Sequence, residues 1–456
     1  MASEPYAPGA GTGRGARSAV EPLPHTLCWM LSGLRTAAVR ALGDGARTEP
    51  PPGAPRLLAE LAEAPAGRLD YRIPLVGPMK AGKSTLLNAI ICQDLLPARG
   101  PAMTVLPTHV VPVRSAPPAP PVLTLHPATL AVLACLGALL AAPARRSALT
   151  AATRRHPQLA AVAIRAGRGG TPYLPARVTG REAVRGALTE VNDLLRLAAL
   201  ALPQEEMARE TGALRAPEVT VPVPWLTSAP AGGRLVLADT PGPDEELRPG
   251  LLSPFVAAEV RRAHEVLVVA DATRRGSTAE AMTGRLVADE GPGPGATFTV
   301  VNRSVPCAPG PDPALPVRTT AHQALAAAGV LWPGEDGDDG AGAAHRLLRT
   351  VFPLDWQERT ALPAERLHTL ARQSWDGSGL PRLMDVHLRD RARSPGGWAL
   401  AALLARVGEF TGPPPAPPPN TPPLAPPDGV TVLARRRARL VHAARDHYAG
   451  LPIEWR

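Results

Sequence analysis

Apolar and polar positions along this chain follow two periods in turn, and their order predicts an α/β fold. Leu27, Met30, Leu31, Leu34, Ala38, Ala41 and Leu42 recur at helical spacing, and Gly43 sits where that helix should stop. A second short helix is expected over residues 56 to 64, with Leu57, Leu58 and Leu61 on one side. Short apolar runs at 71–76, 110–113, 219–225, 234–239, 266–270 and 297–301 read as strands, with 349–354 as the last of them. Residues 116 to 215 interrupt this rhythm as an insertion, Pro-rich first and then largely helical, with 183–199 carrying the helical period. A helical region opens at Gly377 and ends near Phe410. Residues 411 to 427, mostly proline, suit an extended spacer.

The organisation expected from this pattern is a disordered tail over residues 1–20, N-terminal helices over 21–69 and an α/β domain over 70–400 containing the insertion. The linker at 411–427 and a basic C-terminal helix over 428–456 complete it. The domain should be a mostly parallel sheet with helices on both faces, and the terminal segments should form a small helical appendage.

The strand at 71–76 runs into Gly77-Pro-Met79-Lys80-Ala81-Gly82-Lys83-Ser84-Thr85, the P-loop pattern G-x-x-x-x-G-K-[ST]. Its glycines let successive N–H groups turn toward a phosphate, and the following helix adds the positive end of its dipole. Lys83 is expected to reach the β- and γ-phosphates, and the Ser84 hydroxyl to bind Mg²⁺. Thr104, with Thr108 in reserve, stands where a switch loop would close over the metal and the attacking water. The strand at 234–239 ends in Asp239-Thr-Pro-Gly242, a D-x-x-G motif in which Asp239 would hold Mg²⁺ through water and the Gly242 N–H would sense the γ-phosphate. Asn302-Arg303-Ser304-Val305 occupies the base-recognition position. There the Arg303 stem can lie against the base, but Val305 cannot accept the two guanine hydrogens that an Asp would; nearby Asp312 is a substitute to consider.

Composition sharpens one part of this picture. Of 49 Lys and Arg residues only two are lysines, Lys80 and Lys83, both in the loop where a compact ammonium fits and a guanidinium fork does not. Aromatics are 3%, so the core must be built from Ala, Leu and Val. The net charge of +9 accompanies a chain-wide excess of Arg, Ala and Pro, and direct nucleic-acid binding is not expected. Cysteines at 28, 92, 135 and 307 have no paired spacing, which excludes a CxxC zinc site and suits a reducing compartment. The first twenty residues lack the apolar core of a secretory signal, and residues 128–142 are too short and Ala-rich to span a bilayer. A cytoplasmic location with, at most, peripheral membrane contact is expected.

The P-loop run through Ile90, the segments Leu95-Leu-Pro97 and Pro101-Ala-Met-Thr104-Val-Leu-Pro-Thr108, and Asp239-Thr-Pro-Gly-Pro-Asp-Glu resemble the bacterial-type branch of the dynamin superfamily. Glu190-Val-Asn-Asp-Leu-Leu-Arg-Leu and the segment from Ser378 extend the likeness over roughly residues 70 to 400. The resemblance implies a dynamin-type G domain that binds and hydrolyses GTP with Mg²⁺ and pairs as a homodimer through that domain. It gives Lys83, Ser84, Thr104, Asp239 and Gly242 the roles above, and makes Lys80 comparable to a catalytic arginine that guanylate-binding GTPases carry at that loop position. The chain departs from the pattern at Met79, where eukaryotic dynamins place a Gln, and at Val305. Its short terminal segments leave little room for a long stalk, and no Q-x-x-L-x-L-F-type clamp-binding peptide is present. The degenerate alternative is a scaffold of the same family that binds nucleotide with little or no hydrolysis.

Loss of the base-reading carboxylate should weaken guanine preference, because a site that hydrogen-bonds its substrate discriminates by orders of magnitude. Val305→Asp is expected to raise the GTP-over-ATP affinity ratio measured by calorimetry. A wild-type ratio already in the thousands would show that another residue reads the base.

Overall fold

The structure, a computed structural model, describes residues 25–43, 69–98, 104–114, 119–167, 174–243, 253–303, 317–333, 340–352, 362–411 and 429–447. The expected tail, the helix at 56–64, most of the 411–427 linker, Val305, Cys307 and Asp312 lie outside the described residues.

Among the described residues nine strands form one sheet: β1 Tyr71–Val76, β2 Thr108–Arg114, β3 Val122–Thr124, β4 Arg177–Thr179, β5 Glu218–Val223, β6 Leu235–Asp239, β7 Val266–Asp271, β8 Thr297–Asn302 and β9 Val317–Thr319. Their order is β4-β3-β5-β2-β6-β1-β7-β8-β9. From β6 to β9 neighbours are parallel, as helical crossovers require. β2 turns antiparallel to β6, and β3 pairs antiparallel with both β5 and β4, so the sheet is mixed. Helices cover both faces. Alternate residues of β7 divide between two cores: Leu267 and Val269 join the large one with the helices Lys83–Ile90 and Ala321–Leu331. Val266 and Val268 join a small one with Val256, Val260 and Val287 from the helices Ser253–Arg261 and Thr278–Glu290.

One expected strand is not one. Arg349–Val351 closes the helix Gly340–Val351, whose Ala343, Leu347 and Leu348 are buried at helical spacing, and among the described residues the last strand is β9. Tertiary burial of that helical stripe outweighs the local β-propensity of Thr-Val-Phe. The insertion supplies the strands β3 and β4 as well as helices, among them Pro127–Ala141 and Arg181–Ala201. Among the described residues no single helix is long and apolar enough to cross a membrane.

The terminal helices His25–Gly43 and Gly429–His447 pack together, and Gly429–His447 packs in turn against Pro395–Thr411, the helix that links the pair to the domain. Its first turn meets the loop before β6 backbone to backbone: Gly396 N–H donates to Ala231 O at 3.1 Å, and a Cβ on Gly396 would stand 2.4 Å from the Gly232 carbonyl carbon. Beside this seam Arg391 donates through Nε and Nη2 to Glu265 Oε1 at 3.0 and 2.8 Å and lies 4.4 Å over the Trp398 ring. His387 is buried against Phe298, with ring centroids 4.0 Å apart. Its Nδ1 is 4.0 Å from Glu265 Oε2, too far for a hydrogen bond. Burial, followed by the Arg391 charge, pushes the imidazole down to about 4, so it is neutral at pH 7 and forms no ion pair.

A depressed histidine stabilises the fold above its unfolded value of 6.5, and that contribution is lost as pH falls toward about 4. His387→Met should therefore flatten the acid limb of thermal stability over that window, by on the order of 2–3 kcal/mol. Parallel melting curves for the two proteins from pH 7 to pH 4 would refute the assignment.

Candidate functional site

The P-loop connects the middle of the sheet to a helix, and two glycines make the connection possible. A Cβ at Gly77 would lie 2.2 Å from Val269 O, so β1 can leave the sheet beside β7 only without a side chain there. Gly82 has φ +92°, and a Cβ there would meet Asn302 Nδ2 at 2.2 Å. Gly82 caps the helix Lys83–Ile90 with no side-chain acceptor, which leaves the first-turn N–H groups for an anion. Lys80 adopts φ 65°, a left-handed conformation that costs a non-glycine residue about 1–2 kcal/mol and is typical of functional loops.

A cleft of about 600 Å³ opens over this loop. Lys80, Gly82, Lys83, Ser84, Thr85, Thr104, Gly242 and Arg303, all singled out in the sequence, line it. Lys83 is only 7% exposed, and its ammonium donates to the carbonyls of Gly77 at 2.8 Å and Pro78 at 3.0 Å. Ala81 is buried in the turn itself. Thr108, the reserve choice for the switch threonine, is instead buried in β2, where it pairs with Asp239.

The three expected metal-binding side chains meet at one carboxylate. Ser84 Oγ donates to Asp239 Oδ2 at 2.7 Å and Thr104 Oγ1 donates to the same oxygen at 3.2 Å. Asp239 Oδ1 is buried without a hydrogen-bond partner. Burial pushes the Asp239 carboxyl above its ordinary range, against the opposing pull of Ser84, Lys83 and Thr104. A bare carboxylate oxygen beside two hydroxyls is a hard, all-oxygen donor set of the kind Mg²⁺ takes, with waters and phosphate oxygens completing its shell. Among the described residues no group of three or more His, Cys, Asp or Glu side chains could hold a metal by itself.

Asn302 does not line the cleft. It is fully buried behind the P-loop, where Nδ2 donates to Ala81 O at 2.9 Å and Oδ1 accepts from Ala321 N at 3.0 Å. It ties the loop to the end of β8 and to the helix after β9. Arg303, at φ 59°, reaches Asp271 Oδ2 at 2.8 Å. Burial alone would raise the Asp271 pKa, but the Thr273 hydroxyl and amide and the Arg303 charge outweigh it and hold the carboxyl below its usual range. Thr273, Arg274 and His322 complete that end of the cleft. Sequence reading passed over these three because no motif marks them; the position of Thr273 and Arg274 just past the carboxyl end of β7 was the available signal.

No family model matches the chain. In sequence it is similar to Clamp-binding protein CrfC of Escherichia coli strain K12 and to the Escherichia coli protein of the same name, 30% identical over 213 residues in each case. The match takes in 45% of this chain, which covers 28% of the length of those curated relatives. Two solved structures of an oligomerised bacterial dynamin pair, described as sensing and tethering membranes over long range, align with 84% of this chain and 54% of theirs. Their TM-scores are 0.32 and 0.31 at 12% identity, too low to bear on function.

Proposed function

We infer that the chain is a dynamin-like GTPase, binding GTP in the cleft over the P-loop, hydrolysing it with Mg²⁺ and coupling that cycle to self-association through the nucleotide-binding domain. The observation that carries this reading is the meeting of Ser84 and Thr104 on a buried Asp239 whose second oxygen is bare. Ser84, Asp239 and Thr104 would hold the metal, which when bound draws charge from the phosphate oxygens and aligns them for displacement by water. Lys83 neutralises the β- and γ-phosphates, and the Ala81 to Thr85 backbone cradles them. Gly242 offers its N–H to the γ-phosphate. Lys80, exposed at the rim, is placed to neutralise charge on the departing phosphoryl group. Asn302 holds the loop in register, and Arg303 flanks the base. A cytoplasmic protein with peripheral membrane contact and no nucleic-acid partner fits this reading.

One observation favours the competing reading, binding without useful turnover. Met79 lines the cleft where eukaryotic dynamins place a glutamine, and a thioether, a weak acceptor with no donor, orients an attacking water poorly. Turnover by the purified chain, measured as phosphate release from GTP with Mg²⁺, separates the two.

Lys83→Ala is expected to remove GTP binding while the circular dichroism of the fold is kept; unchanged affinity would sink the assignment. Lys80→Ala should instead lower turnover roughly tenfold or more at nearly constant affinity, the signature of a contact made mainly in the transition state. Parallel losses in both would make Lys80 an ordinary phosphate contact.

A further inference from the structure

The geometry points to Asn192, on the insertion helix Arg181–Ala201, as the positioning residue that holds the Thr104 loop against the metal-binding end of the cleft; this rests on the nucleotide reading above. Asn192 is 5% exposed, and its Oδ1 accepts from Val105 N at 2.6 Å and from Leu106 N at 3.4 Å. Its Nδ2 donates to Leu188 O at 2.9 Å. Two amides on one side and a carbonyl on the other fix which way the side-chain amide faces. An asparagine inside a helix is unfavourable unless its polar atoms are satisfied, and here both are.

The segment it grips is short and, among the described residues, has few other hydrogen-bonded anchors. Thr104 Oγ1 reaches Asp239 at the front of the segment, Pro107 has no N–H to give, and Thr108 begins β2 in register with Asp239. Val105 and Leu106 are 4% and 2% exposed, so amides released by Asn192 would find no water. The same helix also touches the exit of the P-loop helix: Arg185 Nη1 pairs with Asp94 Oδ2 at 2.9 Å, and Asp94 sits in the turn that Asn88 orders by accepting from Leu95 N and Leu96 N. One insertion helix thus braces both the turn at the exit of the P-loop helix and the loop that must close over the γ-phosphate. Asn192 sets the second of these, and with it the preference for triphosphate over diphosphate.

The test uses the full chain with Asn192→Leu, which removes the acceptor, and Asn192→Asp, which retains it. Affinities for GTPγS and GDP are measured with Mg²⁺, alongside deuterium uptake across residues 104–107. Asn192→Leu should raise uptake there and weaken GTPγS roughly tenfold while GDP changes less than about twofold; Asn192→Asp, which keeps the acceptor but sets a second oxygen against Leu188 O, should fall between Asn192→Leu and wild type. Should Asn192→Leu not fold, Asn192→Ala carries the same comparison. Equal losses for both nucleotides, or unchanged GTPγS affinity in a folded variant of a wild type that binds both, overturn the inference and leave the nucleotide reading standing. A wild-type chain that binds neither nucleotide overturns that reading and this inference with it.

Discussion

The buried carboxylate of Asp239 is the group around which the centre of this molecule is arranged. A carboxylate in that position is costly unless it receives hydrogen bonds or a cation. It receives hydroxyls from the P-loop helix and from the segment before β2, and keeps one oxygen bare. Those contacts require β6 to lie between β1 and β2, with Leu75 opposite Asp239 on one side and Thr108 on the other. The next residue, Thr240, returns a hydroxyl to Leu75 O at 2.7 Å. The register of three strands and the shape of the cleft are therefore settled by the same few bonds.

Behind that centre the loop is held from the opposite direction by Asn302. Gly82 has no room for a side chain because Asn302 occupies the space, and Asn302 is satisfied only by Ala81 and Ala321. The phosphate loop, the end of β8 and the helix after β9 thus share one buried amide. The loops before β6 and β7 are joined with similar closeness to the helical region 389–411, through Gly396 against Gly232 and through Arg391 on Glu265.

Most of this was legible where a local signal and a motif coincided. The P-loop and Asp239-Thr-Pro-Gly242 each follow an apolar strand, and the structure brings their side chains to one cleft. What was not legible depends on contacts distant in sequence or on elements too short to show a period. β3, β4 and β9 have three residues each, fewer than two cycles of alternation. Residues 349–351 look like a strand in isolation and become helical because Leu347 and Leu348 need burial. Asn192 sits in a run of ordinary helix-forming residues and meets its partners some 87 positions away. His387 and Glu265 take their shifts first from burial, with Arg391 pushing His387 further down and opposing the rise at Glu265, and no local pattern connects these residues.

The scarcity of lysine has a practical side. Every primary amine on a side chain of this sequence belongs to the P-loop, one on the rim of the cleft and one nearly enclosed. Apart from the α-amine, acylating reagents and lysine-specific proteases, which ordinarily sample an entire surface, would here address a single loop. Whatever fills the cleft would stand between them and their target, so that labelling or cleavage of the intact chain becomes a direct gauge of occupancy without any tag or probe being introduced.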